Sequence, residues 1–167
     1  LQGVNLNVQP GEAVALLGRN GVGKTTTLKT IMGLVPPTGG KVIFNGKETS
    51  SMQPHKVPGT GIGYVPQGRG IFPILSVEEN LVIGVSKRPP QSVVDYVFDR
   101  LPKLQERLKQ PGGTLSGGEQ QMLAIARCLV MQQKLIILDE PTEGIMPILV
   151  KKIRSEIEAV RKSGVSI

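Results

Sequence analysis

Gly18-Arg19-Asn20-Gly21-Val22-Gly23-Lys24-Thr25 satisfies the pattern G-x-x-x-x-G-K-[ST] at every defined position. A loop that wraps a chain of phosphates must turn its backbone N–H groups inward, and glycines at 18, 21 and 23 permit the conformations this requires. Lys24 then offers a point charge to the terminal phosphates and Thr25 a hydroxyl to Mg²⁺. On the upstream side, Glu12-Ala13-Val14-Ala15-Leu16-Leu17 reads as a short apolar strand. Downstream, Lys24 to Met32 reads as a helix whose N-terminal dipole faces the same anion. Strand, loop and helix occur in the order a nucleoside triphosphate site needs, which favours that site over an unliganded glycine-rich turn.

A chain of 167 residues, 39% hydrophobic and 20% charged, is long enough for one domain with a sizeable core. No apolar run approaches the ~20 residues that span a bilayer, so any membrane role is expected to act through a partner. Cys128, the single cysteine, lies in a helical pattern and reads as a buried small side chain, which fits a reducing cytoplasmic compartment. The net charge of +7 and pI near 9.8 could suggest nucleic acid. Yet the basic residues are scattered, aromatics make up 3% and Trp is absent, which leaves little for bases to stack on. No nucleic-acid partner is expected. The chain opens at Leu1 inside a strand-like stretch and stops at Val165-Ser166-Ile167, the start of an apolar run, so it is expected to be a fragment.

Val4 to Val8 alternates as a half-buried strand does, and Pro10-Gly11 turns it into the strand before the phosphate loop. Lys41-Val42-Ile43-Phe44 with Asn45-Gly46 predicts a strand and tight turn, forming an antiparallel edge with the first strand. Residues 53–59 are unpatterned, and His55, the one histidine, has no second ligand nearby and reads as a surface residue. Gly61 to Val65 predicts a strand ended by Pro66 and followed by Gln67. Ser76-Val77-Glu78-Glu79 is a capping box that opens a helix expected to run to Pro89-Pro90. Val93, Val97, Leu101, Leu104 and Leu108 continue at helical spacing, so residues 76–109 form a mostly helical insertion.

Leu115-Ser116-Gly117-Gly118-Glu119 leads into a helix over Met122 to Met131. Lys134-Leu135-Ile136-Ile137-Leu138-Asp139-Glu140 is an unbroken apolar run closed by two carboxylates, the pattern of a central parallel strand buried on both faces. Pro147 starts a last helix, with Val150, Ile153, Ile157 and Val160 inward and Gly164 at its end. A strand-end Asp can hold the shell of Mg²⁺ and an adjacent carboxylate can orient or deprotonate an attacking water. Paired with the phosphate loop, Asp139 and Glu140 make hydrolysis a better reading than binding alone.

In its ordered set of motifs the chain resembles the ATP-binding cassette ATPases: Leu115 to Glu119 matches their LSGGE/Q signature, and Gln67 falls where their Q-loop glutamine belongs. Tyr64-Val65-Pro66-Gln67-Gly68-Arg69, Phe72-Pro73 and Ser76 to Leu81 look like the branched-chain amino acid importer group. Gly18 to Gly23 and Glu140-Pro141-Thr142-Glu143-Gly144-Ile145 look most like its urea-importing members.

The resemblance implies an α/β fold: a phosphate-loop NTPase (RecA-like) core with a parallel sheet, an antiparallel edge hairpin and an inserted helical subdomain. Its parts would be residues 1–67 and 132–167 for the core and 68–131 for the helical subdomain with the signature. It implies ATP and Mg²⁺ as cofactors, with Gly18, Arg19, Asn20, Gly21, Val22, Gly23, Lys24, Thr25 and Thr26 around the phosphates. Ser116, Gly117 and Gly118 would close on the γ-phosphate held by a second, head-to-tail ATPase subunit. Thr25, Gln67 and Asp139 would hold the metal, with Glu140 as catalytic carboxylate assisted by Lys24 and Gln67.

The resemblance further implies permease subunits, a solute-binding protein acting indirectly, and a peripheral place on the cytoplasmic face of the cell membrane. Met146 stands where the family often has Asp, and the family's adenine-stacking aromatic and switch residue belong before Leu1 and after Ile167. A cassette ATPase without a permease, serving DNA repair or ribosomes, and a chain that binds nucleotide without hydrolysing it are the alternatives.

Overall fold

In the computed structural model, residues 3–167 are described. The centre is a parallel pair, β3 (Ile62–Val65) and β4 (Leu135–Leu138), in register from Ile62↔Leu135 to Val65↔Leu138. Neither strand alternates polar and apolar residues, and Ile62, Val65 and Ile136 are buried, as expected where helices cover both faces. On the far side of β4 the chain returns after its last helix: Ile136 N donates to Ser166 O at 2.9 Å and Ser166 N to Lys134 O at 2.9 Å. Ile167 then exchanges bonds with Glu12 O (2.9 Å) and Val14 N (2.8 Å). Four segments therefore lie side by side in the order β3, β4, 165–167, 12–14, which brings the phosphate loop out beside the carboxylate end of β4.

Helix α5 (Gly117–Val130) is the pillar of the core, with ten of its fourteen residues buried. It is apolar almost all round because β3, α2 (Val77–Val82), α3 (Gln91–Arg100), α4 (Pro102–Gln105) and α6 (Pro147–Lys162) surround it. Gly63 lets α5 lie flat on β3, since a Cβ there would sit 3.0 Å from Cys128 Sγ. Burial pushes the Cys128 thiol up to about 11, so it remains protonated packing material, as the sequence suggested. The expected capping box forms, Ser76 with Glu79 on α2, and a second one, which the sequence reading did not single out, joins Ser116 to Glu119 on α5. Helix α1 (Lys24–Ile31) follows the phosphate loop, His55 is exposed, and no helix among the described residues is long and apolar enough to cross a membrane.

Four expectations need correction. Val4 to Val8 forms no ladder: β1 (Ile43–Phe44) closes instead on β2 (Lys47–Glu48) through Asn45 and Gly46, both at positive φ (49° and 75°), the tight primed turn that Asn-Gly favours. With its expected partner taken, residues 4–8 run mostly exposed. Apart from the turn in which Glu12 and Gln9 bond each other, the backbone of Glu12 to Leu17 pairs only with Ile167 among the described residues, and Leu17 is 92% exposed. Helix α2 stops at Val82, well short of Pro89, and Gly84 packs on Met131 there. The run through Leu101 to Leu108 is not one helix either. Leu101 takes φ −123°, ψ 57° before Pro102, because a proline crowds the helical conformation of the residue preceding it.

Candidate functional site

The phosphate loop is shaped by its glycines: Gly21 and Gly23 sit at φ 83° and 100°, and Gly23 is the residue from which α1 springs. A side chain at either position would be strained by its own Cβ. Lys24 folds back over the loop and its Nζ donates to Gly18 O at 2.9 Å and Arg19 O at 3.0 Å, so the ammonium lies over the ring of backbone that Gly18 to Gly23 describe. Residues 18 to 22 are exposed, and Thr26 stands one residue into the helix beyond Thr25.

The loop and the end of β4 meet. Thr25 Oγ1 donates to Asp139 Oδ1 at 3.0 Å across 114 residues of sequence. Asp139 is buried, and its second oxygen accepts from Tyr64 Oη at 3.1 Å. A buried carboxylate needs such donors, and here each oxygen has one. Burial pushes the Tyr64 phenol up to about 12, with the charge of Asp139 and the hydrogen bond adding to it, so Tyr64 stays a donor at neutral pH.

Glu140, next along, adopts φ 49°. For a glutamate this left-handed backbone costs on the order of 1 kcal/mol, and such conformations concentrate where a side chain must be aimed. Asp139 N donates to Val65 O at 3.0 Å, so Gln67 lies just past the end of β3 beside the residues that follow β4. Its Nε2 donates to Glu143 Oε2 at 2.8 Å. Because a carboxylate only accepts, Glu143 fixes which end of the Gln67 amide it holds and leaves Oε1 as the other.

Ser116, Gly117 and Gly118 open α5. Ser116 N and Oγ donate to Glu119 Oε2 at 2.9 and 2.7 Å. Burial opposes ionisation of Glu119, but the Ser116 hydroxyl and N–H, with Arg107 and Lys103 nearby, outweigh it and hold the carboxyl below its usual range. Gly117 lies under the Arg69 guanidinium, where a Cβ would be 2.8 Å from Nη2, and Gly118 lies under Leu149, 2.9 Å from its Cδ1.

The structure thus joins Lys24, Thr25, Asp139 and, through β3, Gln67 and Glu140 at one end of the sheet. Among the described residues no hydrogen bond or ion pair links them directly to Ser116–Gly118. Met146 is exposed. Tyr64, Arg69 and Glu143 take part in this arrangement and were not singled out from sequence for these contacts. Tyr64 gave a faint signal, as the one polar-tipped side chain in an otherwise apolar strand.

A sequence profile of the ABC transporter family matches residues 1–143. The chain is 41% identical over 170 residues to the high-affinity branched-chain amino acid transport ATP-binding protein BraG of Pseudomonas aeruginosa, covering all of this chain and 73% of that protein. It is 42% identical over 147 residues to the probable branched-chain amino acid transport ATP-binding protein LivF of Archaeoglobus fulgidus, covering 86% of this chain and 62% of that one. It is also 39% identical, over its whole length, to the lipopolysaccharide export system ATP-binding protein LptB of Escherichia coli K12, 71% of which it covers. Among solved structures it superposes on cbiO1 of Clostridium perfringens, part of the cbiONQ transporter complex, with a TM-score of 0.84 and 32% identity, over the whole of this chain and 69% of that one.

Proposed function

This chain belongs to the ABC transporter family, and from that premise we propose that it is the ATPase part of an importer, hydrolysing MgATP to drive uptake of branched-chain amino acids. The observation that carries the reading is the Thr25–Asp139 hydrogen bond, which brings the hydroxyl after the phosphate loop to the carboxylate ending β4. Thr25, Asp139 and the Gln67 amide oxygen are hard oxygen donors, the set Mg²⁺ prefers. No cluster of three or more His, Cys, Asp or Glu side chains suited to a metal occurs among the described residues. That too fits Mg²⁺, which is held by one or two protein groups together with substrate phosphates. When bound, Mg²⁺ would neutralise charge developing on the transferred phosphoryl group.

In this reading the N–H groups from Gly18 to Thr26 cradle the phosphates, Lys24 adds charge to them, and Glu140 accepts the proton of the attacking water. Ser116 to Gly118 supply the N-terminus of α5 to nucleotide held by a second, head-to-tail ATPase subunit. The pair would sit peripherally on the cytoplasmic face of a membrane against permease subunits, with a solute-binding protein acting indirectly. Branched-chain amino acids rest on the likeness to BraG and LivF; urea and short amides, suggested by Gly18–Gly23 and Glu140–Ile145, are the competing solute class. Uptake of labelled leucine and urea in cells lacking this gene tests the choice. Loss of leucine uptake, restored by the wild-type gene and not by a Lys24→Ala copy, is the expected result; unchanged leucine uptake would refute the solute.

Tyr64→Phe removes one of the two donors on Asp139 while keeping the ring. A net hydrogen bond of about 1 kcal/mol corresponds to a roughly fivefold loss. The expected result is ATP affinity lowered by about that factor in Mg²⁺ and unchanged in EDTA, measured by calorimetry. Equal affinities in both conditions would show that Tyr64 does not act through Asp139.

A further inference from the structure

The loop that follows Gln67 is bound to the signature helix at two heights. Gly68, Arg69 and Gly70 are all left-handed (φ 78°, 75° and 61°), so a non-glycine residue is kept in a conformation that its neighbours, as glycines, take freely. The Arg69 side chain gives the reason. Its Nη1 donates to Gln120 Oε1 at 2.8 Å, and its guanidinium lies over Gly117, where a Cβ would be 2.8 Å from Nη2. Gln120 has its other amide end committed, its Nε2 donating to Leu115 O at 3.1 Å, so its oxygen is held toward Arg69. Two turns along the same helix, Arg127 Nη2 donates to Gly70 O at 2.7 Å, with its guanidinium 5.6 Å from the centre of the Phe72 ring. The loop and α5 therefore form one body, and the contact at its upper end falls on the residues just beside Ser116.

We propose that Arg69 is a positioning residue that fixes Ser116–Gly118 relative to the Gln67 loop through Gln120 and Gly117. The proposal rests on the ATPase reading above. Arg69 touches neither nucleotide nor metal in it; the residue acts through the helix it grips. A planar five-donor fork packed on a glycine suits this, because it holds orientation as well as distance.

The complete ATPase polypeptide provides the test, with Arg69→Ala and Gln120→Ala made singly and together. Four quantities are read: affinity for a fluorescent ATP analogue, melting temperature, kcat and KM for ATP, and ATP-driven dimerisation in a Glu140→Gln background. Arg69→Ala is expected to lower kcat about tenfold and to weaken dimerisation, with nucleotide affinity and KM within about twofold of the parent. The double variant should be no worse than either single one, because both remove the same link. Unchanged kcat and dimerisation, additive losses, or a fall in nucleotide affinity and melting temperature that accounts for the lost turnover would each overturn the role of Arg69 alone. A parent protein that turns over no ATP would instead overturn the ATPase reading, and this proposal with it.

Discussion

Glu140→Gln is expected to lower ATP turnover at least about 100-fold, while ATP still binds within a few-fold of the parent affinity. The substitution keeps the size and shape of the side chain and removes its capacity to accept a proton. General-base assistance is worth on the order of 10²–10⁴ in rate, so the loss should fall almost wholly on kcat. The backbone argues that this side chain is aimed: Glu140 holds φ 49°, and its carbonyl accepts from Glu143 N at 3.0 Å in the turn that fixes that conformation. Asp139, one residue earlier, is already committed to Thr25 and Tyr64, which leaves Glu140 as the carboxylate at this strand end free of a binding duty. Steady-state turnover and equilibrium binding on the complete polypeptide decide it. Turnover within threefold of the parent would remove Glu140 from the chemistry and point to a neighbour such as Glu143 as the base.

The parts of this arrangement visible in the sequence were those encoded locally. The phosphate loop, the Ser76–Glu79 capping box, the Asn-Gly turn and the apolar run of β4 each depend on residues within a few positions of one another, and each forms where expected. What a local pattern does not carry is the identity of a distant partner. Glu12 to Leu17 has strand composition, yet how far it pairs depends on Ile167, some 150 residues away. The Leu101–Leu108 spacing was helical by period, but the stereochemistry of Pro102 outweighed it. At the candidate site, the residues proposed to bear the chemistry were legible from type and spacing. Those that hold them, Tyr64 on Asp139, Glu143 on Gln67 and Arg69 on Gln120, were not, because their roles arise from packing between elements 51 to 76 residues apart.

Asn80 is the sharpest case of that second kind, and Asn80→Asp is expected to destabilise the protein by about 3 kcal/mol or more at neutral pH. Asn80 is 1% exposed on α2 and serves as the hub of the segment leading into that helix. Its Oδ1 accepts from Phe72 N at 2.8 Å, and its Nδ2 faces Phe72 O at 2.9 Å, Leu75 O at 3.1 Å and Ser76 O at 2.9 Å. Aspartate fits the same space and can still accept from Phe72 N, but it replaces two N–H donors with an anionic oxygen aimed at three carbonyls. Those carbonyls lose their partner, and the charge lies in a site built to receive a donor.

For a domain of this size the cost corresponds to a fall in melting temperature of roughly 6–12 °C. The pH dependence separates charge from shape. The buried carboxyl is held by desolvation and by the carbonyls in its neutral form, so its folded pKa lies above the unfolded value near about 4. A group raised in this way contributes most to stability below its unfolded pKa and loses that contribution as pH rises through the folded one. The gap between Asn80→Asp and the parent should therefore narrow as pH falls from 8 toward 5, while the gap for Asn80→Ala, which carries no titrating group, stays constant. Melting curves of the three proteins across that range read both effects, and parallel curves for Asn80→Asp and Asn80→Ala would show that a buried charge plays no part in the loss.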